Sequence, residues 1–166
     1  MAKTAKQMLD ILLAAAVVEL RKMGDDELCA SAVYPGEGVP LDYASMDTGC
    51  GGMLWVRLTT AYPSASFPSP VQTIDNCARR LAFPVEMGLM RPAPIPENFV
   101  TGEMDLPGDA EHDAAATRQL NDMEAMYRAI RVAAEDIELV VVGSYSPYGP
   151  VGGTVGGTWS LQIGDD

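Results

Sequence analysis

The strictest constraint on this chain lies at Ala82–Met90. There Phe83, Val85, Met87 and Leu89 alternate with Pro84, Glu86 and Gly88. A period of two puts the four apolar side chains on one face of a strand, and that face must be covered. Two stretches of helical period can cover it. In the first, Met8, Leu12, Ala15 and Ala16 recur at three- and four-residue spacing, joined by Leu9, Leu13 and Leu20. This predicts a largely buried helix over Thr4–Met23, with Thr4 as N-cap and Gly24 as terminator. In the second, Leu120, Met123, Tyr127, Ile130 and Ala134 form one apolar stripe. It predicts a helix over about Asp113–Asp136, capped by Asp113, with an acidic first turn that suits the helix dipole.

The remaining segments read as strands and connections. Leu28–Tyr34 is a short strand, and Pro35-Gly36-Glu37-Gly38 with Pro40 forces a turn into a loop that lasts to Gly52. Met53–Tyr62 is a strand with Val56, Leu58 and Thr60 on one face and Trp55, Arg57 and Thr59 on the other. Pro63, Pro68 and Pro70 make Tyr62–Pro70 a loop. Pro84 lacks a donor, which predicts an edge position for Ala82–Met90. An acidic linker spans about 91–112. Leu139–Ser144 and Thr158–Ile163 form a hairpin whose Gly-rich loop, about 145–157, is too long for a tight turn. Its two Gly-Gly pairs permit positive φ or close backbone approach, so another chain could pack there. The element order predicts an α+β fold, a short antiparallel sheet with both helices on one face. The 166 residues suit a single domain, and a chain near this size buries about 70% of its unfolded surface.

Charge and residue chemistry narrow the function. The net charge is −12, with one His and three Cys. Nucleic acid and anionic lipid are held by clustered Lys and Arg, so this balance argues against such binding. Between Glu97 and Glu138 there are 11 acidic and 3 basic residues. Cys29, Cys50 and Cys77 are odd in number and widely spaced, which predicts free, buried thiols in a reducing compartment. With His112 they lack the short spacings of a zinc site. The uncharged run Ile11–Val18 is bracketed by Asp10 and Glu19, unlike a signal peptide, and falls far short of the ~18 apolar residues of a membrane span. No phosphate loop, dinucleotide fingerprint or nucleophile elbow occurs. His112 stands between Glu111 and Asp113, where acids favour a protonated surface imidazole, a poor base. Asp25, Asp26 and Glu27, and likewise Glu135, Asp136 and Glu138, read as solvated faces. No catalytic, cofactor-binding or metal-binding residue is therefore expected. Tyr62 and Phe67, with Tyr145 and Tyr148, are candidate subunit or partner contacts, because aromatics on loops are enriched at interfaces. The alternative is that they fold back over the sheet edges.

Four stretches carry a family resemblance: Cys50-Gly51-Gly52-Met53-Leu54-Trp55-Val56-Arg57-Leu58; Tyr62-Pro63-Ser64; Phe83-Pro84-Val85-Glu86; and Gly149-Pro150-Val151-Gly152-Gly153 with Gly156-Gly157-Thr158-Trp159. Together they resemble small neck proteins of actinobacterial long-tailed phages, and the element order resembles the tail terminators. The resemblance covers about Cys50–Gly164. It implies a structural virion protein rather than an enzyme, assembled in the host cytoplasm and located at the head–tail neck. It implies a hexameric ring capping the tail tube, with the major tail tube protein and a head-completion or stopper protein as partners. DNA would pass through without specific binding, and the acidic linker would face that lumen. No cofactor or membrane is implied. A head-completion adaptor binding the portal is the alternative in the same setting. Outside it, the alternatives are an unrecognised small cytosolic enzyme and a monomeric binding module.

Overall fold

Two helices lie on one face of a mixed sheet, in a computed structural model that describes residues 3–24, 28–39, 51–71, 80–94, 97–98 and 104–164. In chain order the elements are α1 (Ala5–Lys22), β1 (Leu28–Pro35), β2 (Gly52–Leu58), β3 (Tyr62–Ser66), β4 (Ser69–Pro70), β5 (Arg80–Pro92), β6 (Glu97–Asn98), β7 (Met104–Asp105), α2 (Asp109–Ala133), β8 (Leu139–Val151) and β9 (Thr154–Gly164). The fold is α+β, as the element order implies. The expected all-antiparallel sheet is corrected at one pair, since β1 runs parallel to β2. β6 and β7 make a separate two-stranded ladder.

The expected capping of α1 holds. The Thr4 Oγ1 accepts the Gln7 N–H at 3.3 Å, and the Gln7 Oε1 accepts the Thr4 N–H at 2.8 Å. This reciprocal box satisfies two orphan donors of the first turn. Gly24 follows with φ of 82°, as a helix terminator should. α2 begins four residues before the expected Asp113. Gly108 is its N-cap, and the Glu111 carboxylate accepts the Gly108 N–H at 2.8 Å. The negative charge also sits favourably on the dipole of the first turn.

β5 corrects the edge expectation drawn from Pro84. It lies in the middle of the sheet, with β9 on one side and β2 and β3 on the other. β2 ends opposite Val85 and β3 begins opposite Ala82. The Pro84 carbonyl accepts from the Thr59 N–H and Oγ1, both at 3.0 Å, in that gap. A residue's amide points to the same side as its carbonyl, so the donor Pro84 lacks falls where one neighbour has left and the next has not begun. Tyr62–Pro70, expected as a loop, pairs as the short hairpin of β3 and β4. The segment 145–157, also expected as a loop, is corrected to strand. β8 and β9 pair out to Val151 and Thr154, joined by Gly152 and Gly153 with φ of 59° and 76°. Positive φ at both central residues is the tight two-residue turn whose twist suits a hairpin.

The core fills the space between helices and sheet. β5 contributes Phe83, Val85, Met87 and Leu89, in the expected alternation, and they meet Leu54, Val56, Leu161 and Ile163. Met8, Leu9, Leu12, Ala16 and Leu20 of α1 and Ala125, Met126, Ala129, Ile130 and Ala133 of α2 close it. On the opposite face Trp55 lies flat over Gly88, where a Cβ would come within 2.2 Å of the indole. The Glu86 carboxylate there accepts from Arg57 Nε and Nη2 at 3.1 and 2.9 Å.

Part of the acidic linker also resolves into structure. Arg91 and Pro92 end β5, and residues 109–112 open α2. Residues 95–96 and 99–103 lie outside the described residues, as do Asp25–Glu27 and most of the expected loop before Gly52.

Candidate functional site

The four aromatic residues expected at an interface form two separate pairs. Tyr62 and Phe67 belong to the β3–β4 hairpin. The Tyr62 hydroxyl donates to the Pro68 carbonyl at 2.8 Å, and Phe67 packs within 3.0 Å of where a Gly164 Cβ would stand. Both are half-buried, which is the fold-back alternative. Tyr145 and Tyr148 lie on β8, opposite Trp159 and Gly156. Trp159 and Gly156 stand five and eight residues of strand from Gly164, so the pairs sit roughly 15–25 Å apart along the sheet at ~3.3 Å per residue.

The second pair marks the larger surface. On the helix face a cross-strand row runs Val33, Val56, Met87, Trp159, Tyr145 through five strands. Its inner members are buried under the helices. At the β8 end Trp159 stacks with Tyr145 and with Tyr127 of α2, ring centroids 5.5 and 5.4 Å apart. The indole N–H donates to the Met123 carbonyl at 3.1 Å, so ring geometry and a hydrogen bond both fix Trp159. Beside it a pocket of about 340 Å³ opens, lined by Met123, Glu124, Tyr127, Arg128 and Trp159.

This surface explains where the reading of α2 went astray. The buried face of α2 is Asp122, Ala125, Met126, Ala129, Ile130 and Ala133. The expected stripe shares only Ile130 with it. Leu120 is 58% exposed and Tyr127 42%. α2 therefore has two apolar faces. Ala125, Ala129 and Ala133 with Met126 and Ile130 pack against α1 and the sheet, while Leu120 and Tyr127 look out beside β8.

β8 itself is the outer strand on this side. Among the described residues it pairs only with β9. Its thirteen residues contain no Asp, Glu, Lys or Arg, and Val141, Val142, Tyr148 and Val151 are exposed. Natural edge strands are usually blunted by charge, proline or bulges, because an open row of backbone donors and acceptors templates another chain. Here Pro147 and Pro150 blunt the distal half, and the stretch Leu139–Ser146 carries neither charge nor proline, with a register irregularity between Val142 and Tyr145.

Two charged clusters hold the surface in place. Arg91 and Asp122 are buried at 3% and 7% exposure and form a bidentate pair, Nε–Oδ2 2.6 Å and Nη2–Oδ1 2.8 Å. Arg91 Nη1 also donates to the Gly51 carbonyl at 3.0 Å. The fork ties β5 and the start of β2 to the middle of α2. Next to it the Gln119 amide donates to the Gly156 carbonyl and, at 3.3 Å, to that of Tyr148. Between the helices Glu19 accepts from Lys22 Nζ at 2.6 Å and Arg128 Nε at 3.4 Å. The Lys22 hydrogen bond first, and Arg128 with it, hold the Glu19 carboxyl below the usual range, against an opposing push from burial. The Tyr145 hydroxyl is buried against Gly157 and has no hydrogen-bond partner among the described residues. Burial, and then the Asp122 charge, push it up to about 12. Tyr145 is one of the four aromatics singled out in sequence, whereas Gln119 carries no sequence signal and is revealed only by its contact with the β8–β9 hairpin.

The expectation for the cysteines is corrected. Cys29 is exposed and disulfide-bonded. The bulge between Leu28 and Ala30 turns it out of the alternation of β1. Cys50 and Cys77 lie outside the described residues. His112 is exposed on the first turn of α2. Among the described residues no group of three or more His, Cys, Asp or Glu is placed to hold a metal ion. No described helix is long and apolar enough to cross a membrane. Compared with family models and with curated proteins, the chain matches none.

Proposed function

We propose that this chain is a structural assembly protein of the phage neck, most specifically the tail terminator, a hexameric ring that caps the tail tube and joins it to the head. The observation that carries the reading is the β8 side of the molecule. A charge-free edge strand lies beside the half-buried Tyr145 and Trp159 and the exposed Leu120 and Tyr127 of α2, which together suit contact with other protein chains. The resemblance adds to it. The described parts of its four stretches fall on β2, β3, β5 and the β8–β9 hairpin, which neighbour one another in one sheet. The major tail tube protein and a head-completion or stopper protein are the proposed partners. In the same proposal, acidic residues of the 97–138 stretch face the lumen and repel the duplex.

Loss of the gene tests this reading. Tails of uncontrolled length together with unjoined filled heads are expected. Tails of normal length would overturn the terminator and favour the head-completion adaptor. Normal virions would remove the neck reading altogether and leave the enzyme and monomeric binding-module alternatives.

A further inference from the structure

We propose that copies of this chain join head to tail, with the outer edge of β8 pairing antiparallel to the outer edge of β1 of the next copy. The inference rests on the ring reading above and names the contact that builds it. The topology supplies the strand sense. β1 runs with β2, β5 runs against β2, β9 against β5 and β8 against β9, so β1 and β8, the ends of the β1-β2-β5-β9-β8 run among the described residues, point in opposite directions. A rotation about an axis along the strands keeps their sense. It brings β8 against the neighbour's β1 in the antiparallel arrangement, and repetition closes both edges at once.

The edges match in chemistry. β1 carries no Asp, Glu, Lys or Arg, and neither does the Leu139–Ser146 stretch of β8; each has one register irregularity, between Leu28 and Ala30 and between Val142 and Tyr145. In a chain of net charge −12, two uncharged edges concentrate what a hydrogen-bonded seam requires.

The layer above the sheet matches as well. α1 packs over β1 and β2, and α2 packs beside it over β9, so β8 is covered less than these strands, touching α2 through Gln119. That side presents Val142, at 37% exposure, beside the half-buried Tyr145 and Trp159, bordered by Leu120 and Tyr127. At the other edge Leu13 and Val17 of α1 are only half-buried. At about 100° per residue they lie on the flank turned away from Glu19, the residue that meets α2. Val33 and the exposed Ser31 of β1 sit beneath, opposite Val56 and Leu54. Seating one edge on the other would set the neighbour's α1 over the β8 side next to α2, giving an unbroken layer of alternating α1 and α2.

The test uses two lysine variants of the full chain, Ser31→Lys on the β1 edge and Val142→Lys on the β8 edge. Both positions are exposed, so each variant should melt within a few degrees of the wild type. Sedimentation velocity at roughly 100 µM is expected to show the wild type assembled and each variant monomeric. An equimolar mixture should give a 1:1 heterodimer and nothing larger, because only one intact edge of each kind remains. Hydrogen exchange on the wild-type assembly gives a readout free of substitutions, with slowed exchange expected in both β1 and Leu139–Ser146. Assembly of both variants like the wild type, or an assembly with fast-exchanging edges, overturns this contact and leaves the ring reading standing. Loss of assembly in Val142→Lys alone also overturns it and points to a two-fold β8–β8 dimer. A wild type that stays monomeric sinks the contact and the self-assembling ring together.

Discussion

Asp122→Asn is expected to be among the most damaging single substitutions in this protein. The change keeps the shape of the side chain and removes its charge. Arg91 then stays at 3% exposure with an amide in place of its bidentate carboxylate. Breaking a buried ion pair at one partner typically costs about 3–5 kcal/mol, because the surviving charge has already lost its water. Each kcal/mol moves the Tm of a domain near this size by about 2–4 °C. The melt should therefore fall by roughly 6–20 °C. In urea the midpoint should drop by about 1.5–2.5 M at a typical m of about 2 kcal/mol/M, with m itself unchanged. The pair replacement Arg91→Met with Asp122→Leu should recover most of that loss, since apolar residues of similar volume often match a buried pair. A double-mutant cycle read by denaturation measures both arms. An Asp122→Asn midpoint within about 0.3 M of the wild type would refute the claim that the fork holds α2 to the sheet.

Three smaller perturbations probe neighbouring features. Gly88→Ala should destabilise by about 1–3 kcal/mol in urea, since its Cβ would fall 2.2 Å from the Trp55 ring. A neutral outcome would mean the indole can move aside. Tyr145→Phe should be neutral or stabilising by up to about 1 kcal/mol, because it deletes a buried hydroxyl without a partner among the described residues. The wild-type phenol, raised to about 12, stays neutral in the folded protein while the unfolded one ionises near 10. Stability should thus be whole below about pH 10 and fall as pH rises toward 12, and Tyr145→Phe should flatten that limb. For Glu19 the sign reverses, since its folded value is lowered. Its contribution is present above the ordinary glutamate range near 4.3 and is lost as pH falls below it. Acid melts of Glu19→Gln should show a shallower decline than the wild type, and identical slopes would count against the α1–α2 ion bridge.

What was legible in the sequence followed the physics of single elements. The alternation of Phe83, Val85, Met87 and Leu89 and the box of Thr4 with Gln7 depend on spacing alone, and both stand. The errors share one cause, which is that pairing partners are not written locally. Pro84 reads as an edge residue because a proline removes a donor. It is tolerated centrally because β2 and β3 leave a gap there. Residues 145–157 read as a loop because their prolines and glycines dominate local propensity. Pairing with β9 overrides it, and the tight turn shrinks to Gly152 and Gly153.

The reading of α2 failed in a more informative way. Leu120, Met123, Tyr127 and Ala134 are the residues a periodicity search selects, since they are large or regularly spaced, yet the isolated chain buries Ala125, Met126, Ala129 and Ala133 instead. Small residues let α2 sit close to α1 and the sheet. That leaves Leu120 and Tyr127 to face outward beside β8. A helix with a single apolar face would have offered the search only one answer. Two faces leave one of them exposed, and here the outward face borders the charge-free half of β8. In the head-to-tail contact proposed above, the next copy's β1 and α1 would cover that outward stripe.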